Sequence, residues 1–586
     1  MKINNQLKLA AAVAAGIALV GCGSDDDSSL AKAFDCTPDT TQGSRTICVG
    51  SAADLSDTSI QDGLLNAVAT IETGDTIVLP QGRYNIDAEI NFNGLQTASA
   101  TQVGTVTGVT FKGAGIDKTV FDFTEGSADG FFIENTEDLV MEDFGVYEAA
   151  NNAIKIVDTD GIILRRMATV WETDYQDTNG AYGLYPVETD NVLIEDCYVK
   201  GSADAGVYVG QSQNVIVRGC TAEKNVAGIE IENTINADVY NNTAIGNTGG
   251  ILVFNLPISN NTRYTQNVRV FDNEVISNNA PNFAASGSSN PAGVHIVPPG
   301  TGIILLAAQD VEIFNNTITD NETMGIAITS FLLPDGDIET YADADRYQSI
   351  LVSGWNPLMK SVYIHDNTIT QSTYKPQPGK LEPMFELIIG YASLTQAPIP
   401  DIFYDGVGEL LANSGQLAGF QGLDAFEGGN GAAGNFNPDD FGMYIYQNNN
   451  DSGDNKSDAI CVSNNNGATV GSISKNGLDL LKTGGTLQAY VAGGGDDAAT
   501  ISALQAALDA ATAEAFELDS DNNPTTYKTH LFADDPDTYA CAGTDATIPV
   551  QVPTSASKAV VTFDDNTSFS CGVDDSSTAP DVCTES

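Results

Sequence analysis

The sequence is poor in positive charge. Of its 586 residues only 24 are Lys or Arg, against 78 Asp and Glu, so the formal net charge is −54. A field of that sign repels phosphate backbones and anionic lipid surfaces, which disfavours nucleic acid as a partner. It also counts against an anionic polysaccharide, unless divalent cations bridge the two surfaces.

Histidine is scarce too, with three in the whole chain. No Cys/His spacing of a zinc site occurs, and no metal-ligating residues are predicted. Acidic loops leave Ca²⁺ open as a cofactor, because that ion takes its ligands from carboxylates and carbonyls. The loops that qualify by composition alone contain Asp343 and Asp345, and Asp451, Asp454 and Asp458.

Long apolar runs are missing except at the start of the chain. Leu9 to Val20 would form a helix of about 18 Å, too short for a hydrocarbon core of about 30 Å. A short apolar run after Lys2 and Lys8 is typical of an export signal. The sequence therefore predicts that any membrane association depends on a lipid rather than a spanning helix.

The segment "LVGC", which ends at Cys22, resembles the lipobox of bacterial lipoproteins. That resemblance implies a signal peptide over residues 1–21, acylation of Cys22 and, with Gly23 next, an outer-membrane location in the cell envelope. Residues 22–50 are predicted to be a tether and N-terminal loop.

Eight cysteines remain after Cys22, an even number in an exported chain, where disulfides persist. Cys36 and Cys48 are near neighbours, and Cys197 and Cys220 occupy equivalent positions of a repeat. Both pairs are predicted disulfides. Pairing stays open for four C-terminal cysteines: Cys461, Cys541, Cys571 and Cys583.

A repeat of 22 or 23 residues dominates the middle of the chain. The unit Gly206-Val-Tyr-Val returns as Gly228-Ile-Glu-Ile and again as Gly250-Ile-Leu-Val. A second unit alternates with it, as in "VLIEDC" and "VIVRGC", and both have the period of a strand with one buried face. Short strands stacked in coils of this length predict an all-β, right-handed parallel β-helix, or solenoid.

Two further patterns fit such a stack. Asparagines recur at one corner of the repeat and are predicted to hydrogen-bond from coil to coil: Asn242, Asn273, Asn316 and Asn367. Before the first strand, apolar residues at helical spacing predict an amphipathic capping helix: Ile60, Leu64, Val68 and Ile71.

The stretch "TIVLPQGRY…GVTFKGAGIDKTVFDF", followed by these coils, resembles the pectate-lyase-like superfamily of right-handed β-helices. "GLYPVETDNVLIEDCYVKGSADAGVYVGQSQNVIVRGC" and "GGILVFNLP" are more similar to exported bacterial parallel β-helix repeat proteins, a family without a settled activity. The resemblance implies architecture and export, not chemistry. It places the β-helix at residues 51–380 and leaves 381–586 as a C-terminal accessory or cap region containing disulfides.

A candidate site follows from the alternation of the glycine-led strand, whose third residue faces outward. The outward column contains Lys155, Tyr185, Tyr208, Glu230, Leu252, Ile304 and Ala327, with Glu232 and Phe254 two residues further along their strands. These side chains are predicted to face water between long inserted loops, one of which carries Trp171 and Tyr182. A solvated acidic face and a stabilising aromatic ladder remain the simpler interpretations.

Aromatic rings stack on sugars, and carboxylates act as acid and base, so this face suggests a carbohydrate ligand. Glu230, Glu232 and Asp204 are the candidate catalytic residues. The predicted substrate-binding residues are Lys155, Tyr185, Tyr208, Phe254, Trp171 and Tyr182. Whether the chain is an enzyme stays open; a lyase, hydrolase or epimerase activity would fit. The Asn-Thr-Asp and Gly-His-Gly signatures of polygalacturonases and the Asp-Pro-His of alginate epimerases are missing.

An alternative function is a non-catalytic scaffold that docks a protein partner in the envelope. Leu252, Phe254 and Ile304 would then matter more than the carboxylates. On a different strand, Arg165, Glu195 and Arg218 occupy equivalent positions and predict a surface ion ladder.

Overall fold

The computed structural model describes residues 30–95, 105–259, 262–285, 293–335, 349–376, 398–406 and 460–473, residues 347, 389 and 392, and short segments between 499 and 585. The signal peptide, Cys22 and the acidic loops considered for Ca²⁺ fall outside these residues, as do Cys541, Cys571 and Cys583. Within the described segments no helix is long and apolar enough to cross a bilayer.

Three parallel sheets make up the stack, and each coil contributes one strand to each sheet. We number the sheets in their order along a coil, for example Ala205–Gly210, Gln213–Arg218 and Thr221–Glu223. The chain then returns to sheet 1 as Ala227–Glu232, which pairs in parallel with Ala205–Gly210. The stacked coils predicted from the repeat are present.

The bounds of the strands follow sheet by sheet. Sheet 1 contains Ile90–Asn93, Phe131–Glu134, Ile154–Val157, Leu184–Val187, Ala205–Gly210, Ala227–Glu232, Gly249–Phe254, Thr301–Leu306, Met324–Thr329, Ile402–Tyr404 and Val470–Ile473. Sheet 2 contains Thr46–Cys48, Thr76–Val78, Thr110–Lys112, Glu137–Tyr147, Asp160–Val170, Asp190–Glu195, Gln213–Arg218, Ile235–Tyr240, Gln266–Phe271, Gln309–Phe314, Lys360–His365 and Ile460–Ser463. Sheet 3 contains Gly82–Asn85, Thr119–Asp122, the second halves of Glu137–Tyr147 and Asp160–Val170, Tyr198–Lys200, Thr221–Glu223, Thr243–Ile245, Glu274–Ile276, Thr317–Thr319 and Thr368–Thr370.

Antiparallel pairs occur towards the C-terminus. They are Phe532–Asp534 on Val470–Ile473, Phe516–Leu518 with Pro524–Tyr527, and the group of Val560–Thr562, Ser568–Ser570 and Thr584–Glu585. Helical elements within the described segments include Ser349–Val352 and the 3₁₀ turn Val294–Ile296.

The register along sheet 1 is the predicted one. Tyr208 lies opposite Glu230, Glu230 opposite Leu252, and Leu252 opposite Ile304. Each unit begins with a glycine because the backbone of the next coil lies too close for a side chain. A Cβ at Gly228 would stand 2.5 Å from the carbonyl oxygen of Gly250.

Seven strands of sheet 2, from Asp190–Glu195 to Ile460–Ser463, are each followed by a left-handed residue at which the chain turns. These residues have φ between 53° and 66° and are Asp196, Gly219, Asn241, Asp272, Asn315, Asp366 and Asn464. Asp, Asn and Gly tolerate that conformation best, which explains the recurring "DC", "GC", "NN" and "DN" pairs.

The residue after each left-handed turn stacks on its equivalent in the next coil. The predicted asparagine ladder is confirmed: the Nδ2 of Asn242 donates to Asn273 at 3.0 Å, and Asn273 donates to Asn316 at 2.9 Å. It continues through Asn367 to Asn465. A second ladder, which the sequence analysis missed, contains Asn225, Asn247, Asn278 and Asn321.

Both predicted disulfides are present. Cys197 and Cys220 bridge adjacent coils with α-carbons 4.3 Å apart, and they continue the column of the asparagine ladder, since Asn242 accepts from the Cys220 amide. Cys36 pairs with Cys48. Cys461 is also disulfide-bonded.

The predicted N-terminal helix spans Asp57–Thr70 and begins at Ser56, whose hydroxyl accepts from the Ser59 amide. Ile60 and Leu64 are buried, and the helix packs on the strand Ile90–Asn93. That it closes the end of the stack stays a prediction.

Strands that pair with the stack also lie outside residues 51–380, and the domain bounds themselves stay a prediction. Thr46–Cys48 already pairs with Thr76–Val78, and Ile402–Tyr404, Ile460–Ser463 and Val470–Ile473 continue sheets 1 and 2. The late strands lack the glycine-led unit and follow long insertions, so the periodicity did not reveal them.

The C-terminal strands cover the outward side of sheet 2. Their buried residues Ala559, Val561 and Phe569 pack with Leu193, Ile216, Tyr240 and Phe271. Near them, the predicted ion ladder is confirmed: Arg165 and Arg218 both pair with Glu195. Burial raises the pKa of Glu195, but the two guanidinium groups outweigh it and hold that pKa below its usual value.

Candidate functional site

Exposure on the outward column of sheet 1 decreases along the stack. Lys155 and Tyr185 are half-buried, whereas Tyr208 is 4 % exposed and Glu230 only 1 %. The later members are fully buried: Leu252, Ile304 and Ala327. The prediction that this column faces water is therefore wrong from Tyr208 onward.

Inserted loops explain this burial. Several of their apolar residues join the same hydrophobic cluster as the strands of sheet 1: Phe283, Val294, Ile296, Phe331 and Trp355. The indole of Trp355 also donates to the backbone carbonyl of Asn255, just after the strand Gly249–Phe254. The loops thus roof sheet 1 over its later coils instead of standing beside it.

A cavity of about 270 Å³ lies where the loop cover begins. From sheet 1 it is lined by Tyr208, Glu230 and Glu232. The loops and turns that complete the lining contribute Asn179, Ala181, Tyr182, Ala203, Asp204, Leu256, Ile258, Ala284, Ala285, Gly293, Val294 and His295. All three predicted catalytic residues therefore lie in one cavity.

Three tyrosine rings pack together at this cavity. The centroids of Tyr182 and Tyr185 are 4.3 Å apart, those of Tyr182 and Tyr208 4.8 Å, and those of Tyr185 and Tyr208 5.0 Å. Gly210 makes room for this cluster, because a Cβ there would stand 2.1 Å from the Tyr208 hydroxyl. The predicted aromatic surface exists, as a compact cluster at the mouth of the cavity.

Lys155 lies one coil before Tyr185, in register with it. Its ammonium group is 5.5 Å from the ring centroid of Tyr185 and 5.4 Å from that of Phe132, so it makes cation–π contacts on both sides. Lys155 is not part of the cavity lining. It belongs to the open strip of sheet 1 that leads to the cavity.

Glu232 is the carboxylate with the most hydrogen-bond donors. The side-chain amide of Gln211 donates to its Oε1 and to the Tyr208 hydroxyl, each at 3.2 Å. Burial raises the pKa of Glu232 to about 7, and a hydrogen bond from Tyr208 works in the opposite direction. Near neutral pH, Glu232 exists in both its ionised and its protonated form.

Glu230 and Asp204 each present an oxygen without a hydrogen-bond partner. These atoms are Oε2 of Glu230 and Oδ1 of Asp204, both shielded from solvent. Burial, together with the nearby charges of Asp204 and Glu232, raises the pKa of Glu230 well above its usual value. Burial also raises the pKa of Asp204 to about 8, against a hydrogen bond from Tyr182.

Uncompensated buried carboxyl oxygens are unusual, because burying a polar group without a partner costs free energy. Such groups mark functional sites when they converge on a cavity. A neutral carboxyl beside a partly ionised one can donate a proton at one place and accept one at another. That is the chemistry which this cavity can supply.

The sequence analysis missed two residues of the site. His295 lies in the insertion before Thr301–Leu306, outside the repeat, and its pKa is lowered by burial. Gln211 follows the strand Ala205–Gly210 at a left-handed position with φ of 47°. Only its place in the turn after Gly210 could have signalled it, and no pattern pointed to His295.

Two predicted substrate-binding residues lie elsewhere. Trp171 is buried in the core, and its indole donates to the Ala149 carbonyl at 2.8 Å. Phe254 is fully buried beneath the loops and does not line the cavity. Burial of Leu252, Phe254 and Ile304 also removes the surface on which the alternative of a docked protein partner depended.

Among the described residues, no group of three or more His, Cys, Asp or Glu side chains is placed to hold a metal ion. The three cavity carboxylates therefore do not form a coordination cluster.

A protein-family model matches part of the chain. Residues 129–298 match the family model described as a right handed beta helix region. Among curated proteins, none matches the chain significantly.

Several solved structures are similar at low identity. The A-module of a mannuronan C-5 epimerase from Azotobacter vinelandii aligns with a TM-score of 0.35 and 16 % identity, over 56 % of this chain and 88 % of that one. An alginate lyase from Paenibacillus gives 0.33 and 12 %, over 56 % and 98 %. A DFA-IIIase from Arthrobacter chlorophenolicus gives 0.34 and 9 %, over 61 % and 92 %. At these scores the likeness does not indicate a shared activity.

Proposed function

We propose that this chain, a right-handed parallel β-helix of the pectate-lyase-like superfamily, binds the end of a glycan in the cavity over sheet 1 and hydrolyses a glycosidic bond there. One observation supports this most strongly. The Oε2 atom of Glu230 is buried at the cavity without a hydrogen-bond partner, on the same strand as a second carboxylate, Glu232, that does have donors.

Glu230 is the proposed proton donor. Burial raises the pKa of this carboxyl well above its usual value, so it holds a proton that it can give to a leaving oxygen. Glu232 is the proposed base, because its pKa is about 7 and Gln211 and Tyr208 hydrogen-bond to the charged form. Two carboxyl groups whose environments separate their roles are what glycoside hydrolysis needs.

In the proposed reaction one carboxyl group donates a proton and the other accepts one. Glu230 gives its proton to the glycosidic oxygen as the bond from that oxygen to the anomeric carbon breaks. A water molecule adds to the anomeric carbon and gives its proton to Glu232. Because water attacks the anomeric carbon directly, with no covalent enzyme intermediate, inversion is the expected stereochemistry.

The shape of the site favours a chain end. The outward strip of sheet 1 is open at Lys155 and Tyr185, closes at Tyr208 and is fully covered at Leu252. A glycan that stacks on the half-buried tyrosines can extend along the earlier coils but not past the roof. Cleavage from one end is the mode that fits this geometry.

The proposal also includes a lipid anchor at Cys22 in the outer membrane. The basic start, the short apolar run and the "LVGC" segment support it. Metabolic labelling with palmitate in a bacterial host checks the anchor. Label that persists in Cys22→Ser would contradict it.

A panel of neutral and amino-sugar oligosaccharides tests the activity. The wild-type chain should release sugar from at least one of them, and Glu230→Gln should lose about a hundredfold or more in rate, as expected for a missing acid catalyst. Glu274→Gln is a matched control, because Glu274 is exposed on sheet 3. Equal rates for wild type and Glu230→Gln, or no turnover and no binding across the panel, would contradict the proposal.

A further inference from the structure

The cavity over sheet 1 has an unbalanced charge. Three carboxyl groups line it, and no Lys or Arg does so among the described residues. His295 is the single basic side chain in this lining, and burial lowers its pKa, so it stays neutral near pH 7. The sequence between Ala285 and Gly293, "SGSSNPA", contains no basic residue either.

Buried carboxyl groups without cationic partners can become neutral in two ways. They can keep their protons, as the free protein does when burial raises the pKa of Asp204 to about 8. They can also bind a cation that enters from outside and displaces a proton. A metal ion is the weaker candidate, since the described carboxylates do not form a coordination cluster.

The aromatic cluster points to the chemistry of such a cation. Tyr182, Tyr185 and Tyr208 pack within 5.0 Å of each other at the cavity, and aromatic rings with a carboxylate form the usual environment of bound ammonium groups. Tyr185 already contacts one ammonium group, that of Lys155, at 5.5 Å. A second ammonium could approach the cluster from the cavity.

Asp204 is suited to pair with this ammonium. It lies in the turn before Ala205–Gly210, Tyr182 hydrogen-bonds to its carboxylate, and its Oδ1 atom has no partner. Glu230 also lines the cavity with an oxygen that has no hydrogen-bond partner, and it is 1 % exposed. The site therefore lies inside the protein rather than on its surface. Charge-assisted hydrogen bonds to such oxygens are stronger than neutral ones.

We propose that the glycan unit held in this cavity is an amino sugar with a free amino group, whose ammonium pairs with Asp204 against the tyrosine rings. This inference rests on the proposed function and names its substrate class. Acetylation of the amino group removes the charge, so the site discriminates the free amine from its N-acetyl form. A neutral hexose would leave the Asp204 oxygen unpaired.

Binding of the ammonium should release a proton from the site. The titratable groups that line the cavity are Asp204, Glu230, Glu232, Tyr182, Tyr208 and His295, and the carboxyl that pairs with the amine must be ionised. The affinity for a permanently charged ligand therefore increases from pH 6 to pH 8. An N-trimethylated glucosamine oligosaccharide isolates this effect, because the ligand itself does not titrate.

Isothermal titration of the full chain tests the inference. The ligands are β-1,4-linked glucosamine oligosaccharides, their N-acetylated counterparts, cello-oligosaccharides of equal length and the N-trimethylated form. We expect the amine to bind about tenfold or more tightly than the acetylated form, the effect of one charge-assisted hydrogen bond. In Asp204→Asn this ratio should fall close to one, and Asp204→Glu should restore part of it.

The possible results separate this inference from the proposed function. Equal affinities for amine and N-acetyl forms, an unchanged ratio in Asp204→Asn, or no binding of the amine overturn the amino-sugar inference. Turnover of a neutral glycan, lost in Glu230→Gln, would still support hydrolysis in those cases. Preference for the amine without turnover would support the inference and contradict hydrolysis. Thermal melting of each variant shows whether it has folded.

Discussion

Tyr208 and Glu230 lie opposite each other on adjacent strands of sheet 1, and the loops above leave them 4 % and 1 % exposed. This pairing places a carboxyl group beside an aromatic ring in a site with little water. The carboxyl then holds its proton to a higher pH than a solvated one, as burial requires. Glu232, two residues along the strand, differs because two side chains donate hydrogen bonds to it.

The proposed hydrolysis should have a bell-shaped pH dependence. Its rate increases through about pH 7 as Glu232 ionises and decreases at higher pH as Glu230 loses its proton. Burial raises the pKa of Glu232 and the Tyr208 hydroxyl lowers it, so Tyr208→Phe should shift the acidic limb to higher pH. Measurement of kcat/KM against pH checks this, and an unmoved acidic limb would count against the assigned base.

Glu230→Gln should stabilise the fold at alkaline pH. The pKa of Glu230 is raised in the folded state, so the folded chain binds the proton more tightly than the unfolded chain does. The free energy of unfolding therefore decreases as the pH rises above about 4, by about 1.4 kcal/mol for each unit of pKa difference that is titrated. Glutamine does not titrate, so the variant loses this dependence.

Thermal melting at pH 5 and pH 8 checks that expectation. The Tm of Glu230→Gln relative to wild type should be higher at pH 8 than at pH 5. Glu274→Gln, on the exposed face of sheet 3, should show no such difference between the two pH values. A gain that is larger at pH 5 would mean that Glu230 is ionised in the folded protein.

Interrupting the asparagine ladder should lower the free energy of unfolding. Asn273 accepts from the backbone and side chain of Asn242 and donates to Asn316 and to the Val239 carbonyl. Asn273→Ala leaves these buried groups without partners, which should cost about 2–4 kcal/mol of unfolding free energy. Urea unfolding measures the change.

Asn91→Ala is the matched control for the ladder. Asn91 is exposed on the first strand of sheet 1, and its side-chain amide donates to Glu89 at 3.1 Å. Its loss should change the unfolding free energy by about 0.5 kcal/mol or less. Similar effects from both substitutions would show that the ladder does not stabilise the stack.

The periodicity of the sequence predicted the stack itself. Spacing of 22 or 23 residues placed Tyr185, Tyr208 and Glu230 in one column, with Lys155 before them after a longer gap, and the observed register agrees. Stacking of the asparagines and the Cys197–Cys220 disulfide followed from the same alignment. Each of these features depends only on neighbouring coils, whose relation is fixed by repeat length.

Burial of the site could not be predicted in the same way. It depends on insertions that follow no period, and the fold of an insertion over a sheet is decided by its own apolar residues. Phe283 and Trp355 belong to such insertions, and they help to turn a presumed open face into a roofed cavity. Because the paths of the loops could not be predicted, Trp171 and Phe254 were expected at the surface and His295 was not identified.

The second asparagine ladder could have been predicted from the sequence. Asn225, Asn247 and Asn278 each lie two residues after a strand of sheet 3 and hydrogen-bond from coil to coil. Insertions after the strand Gly249–Phe254 and before the strand Thr301–Leu306 interrupt their spacing and obscured the alignment. A search that removed insertions first would have found them.

The contact between Ala559 and Asp238 joins positions 321 residues apart in the chain. During synthesis the middle coils are made long before the C-terminal strands that cover their apolar residues Leu193, Ile216 and Tyr240. Until the carboxyl end docks, neighbouring chains can adhere through these residues. Tags or truncations at this terminus are therefore expected to promote aggregation while the protein is being produced.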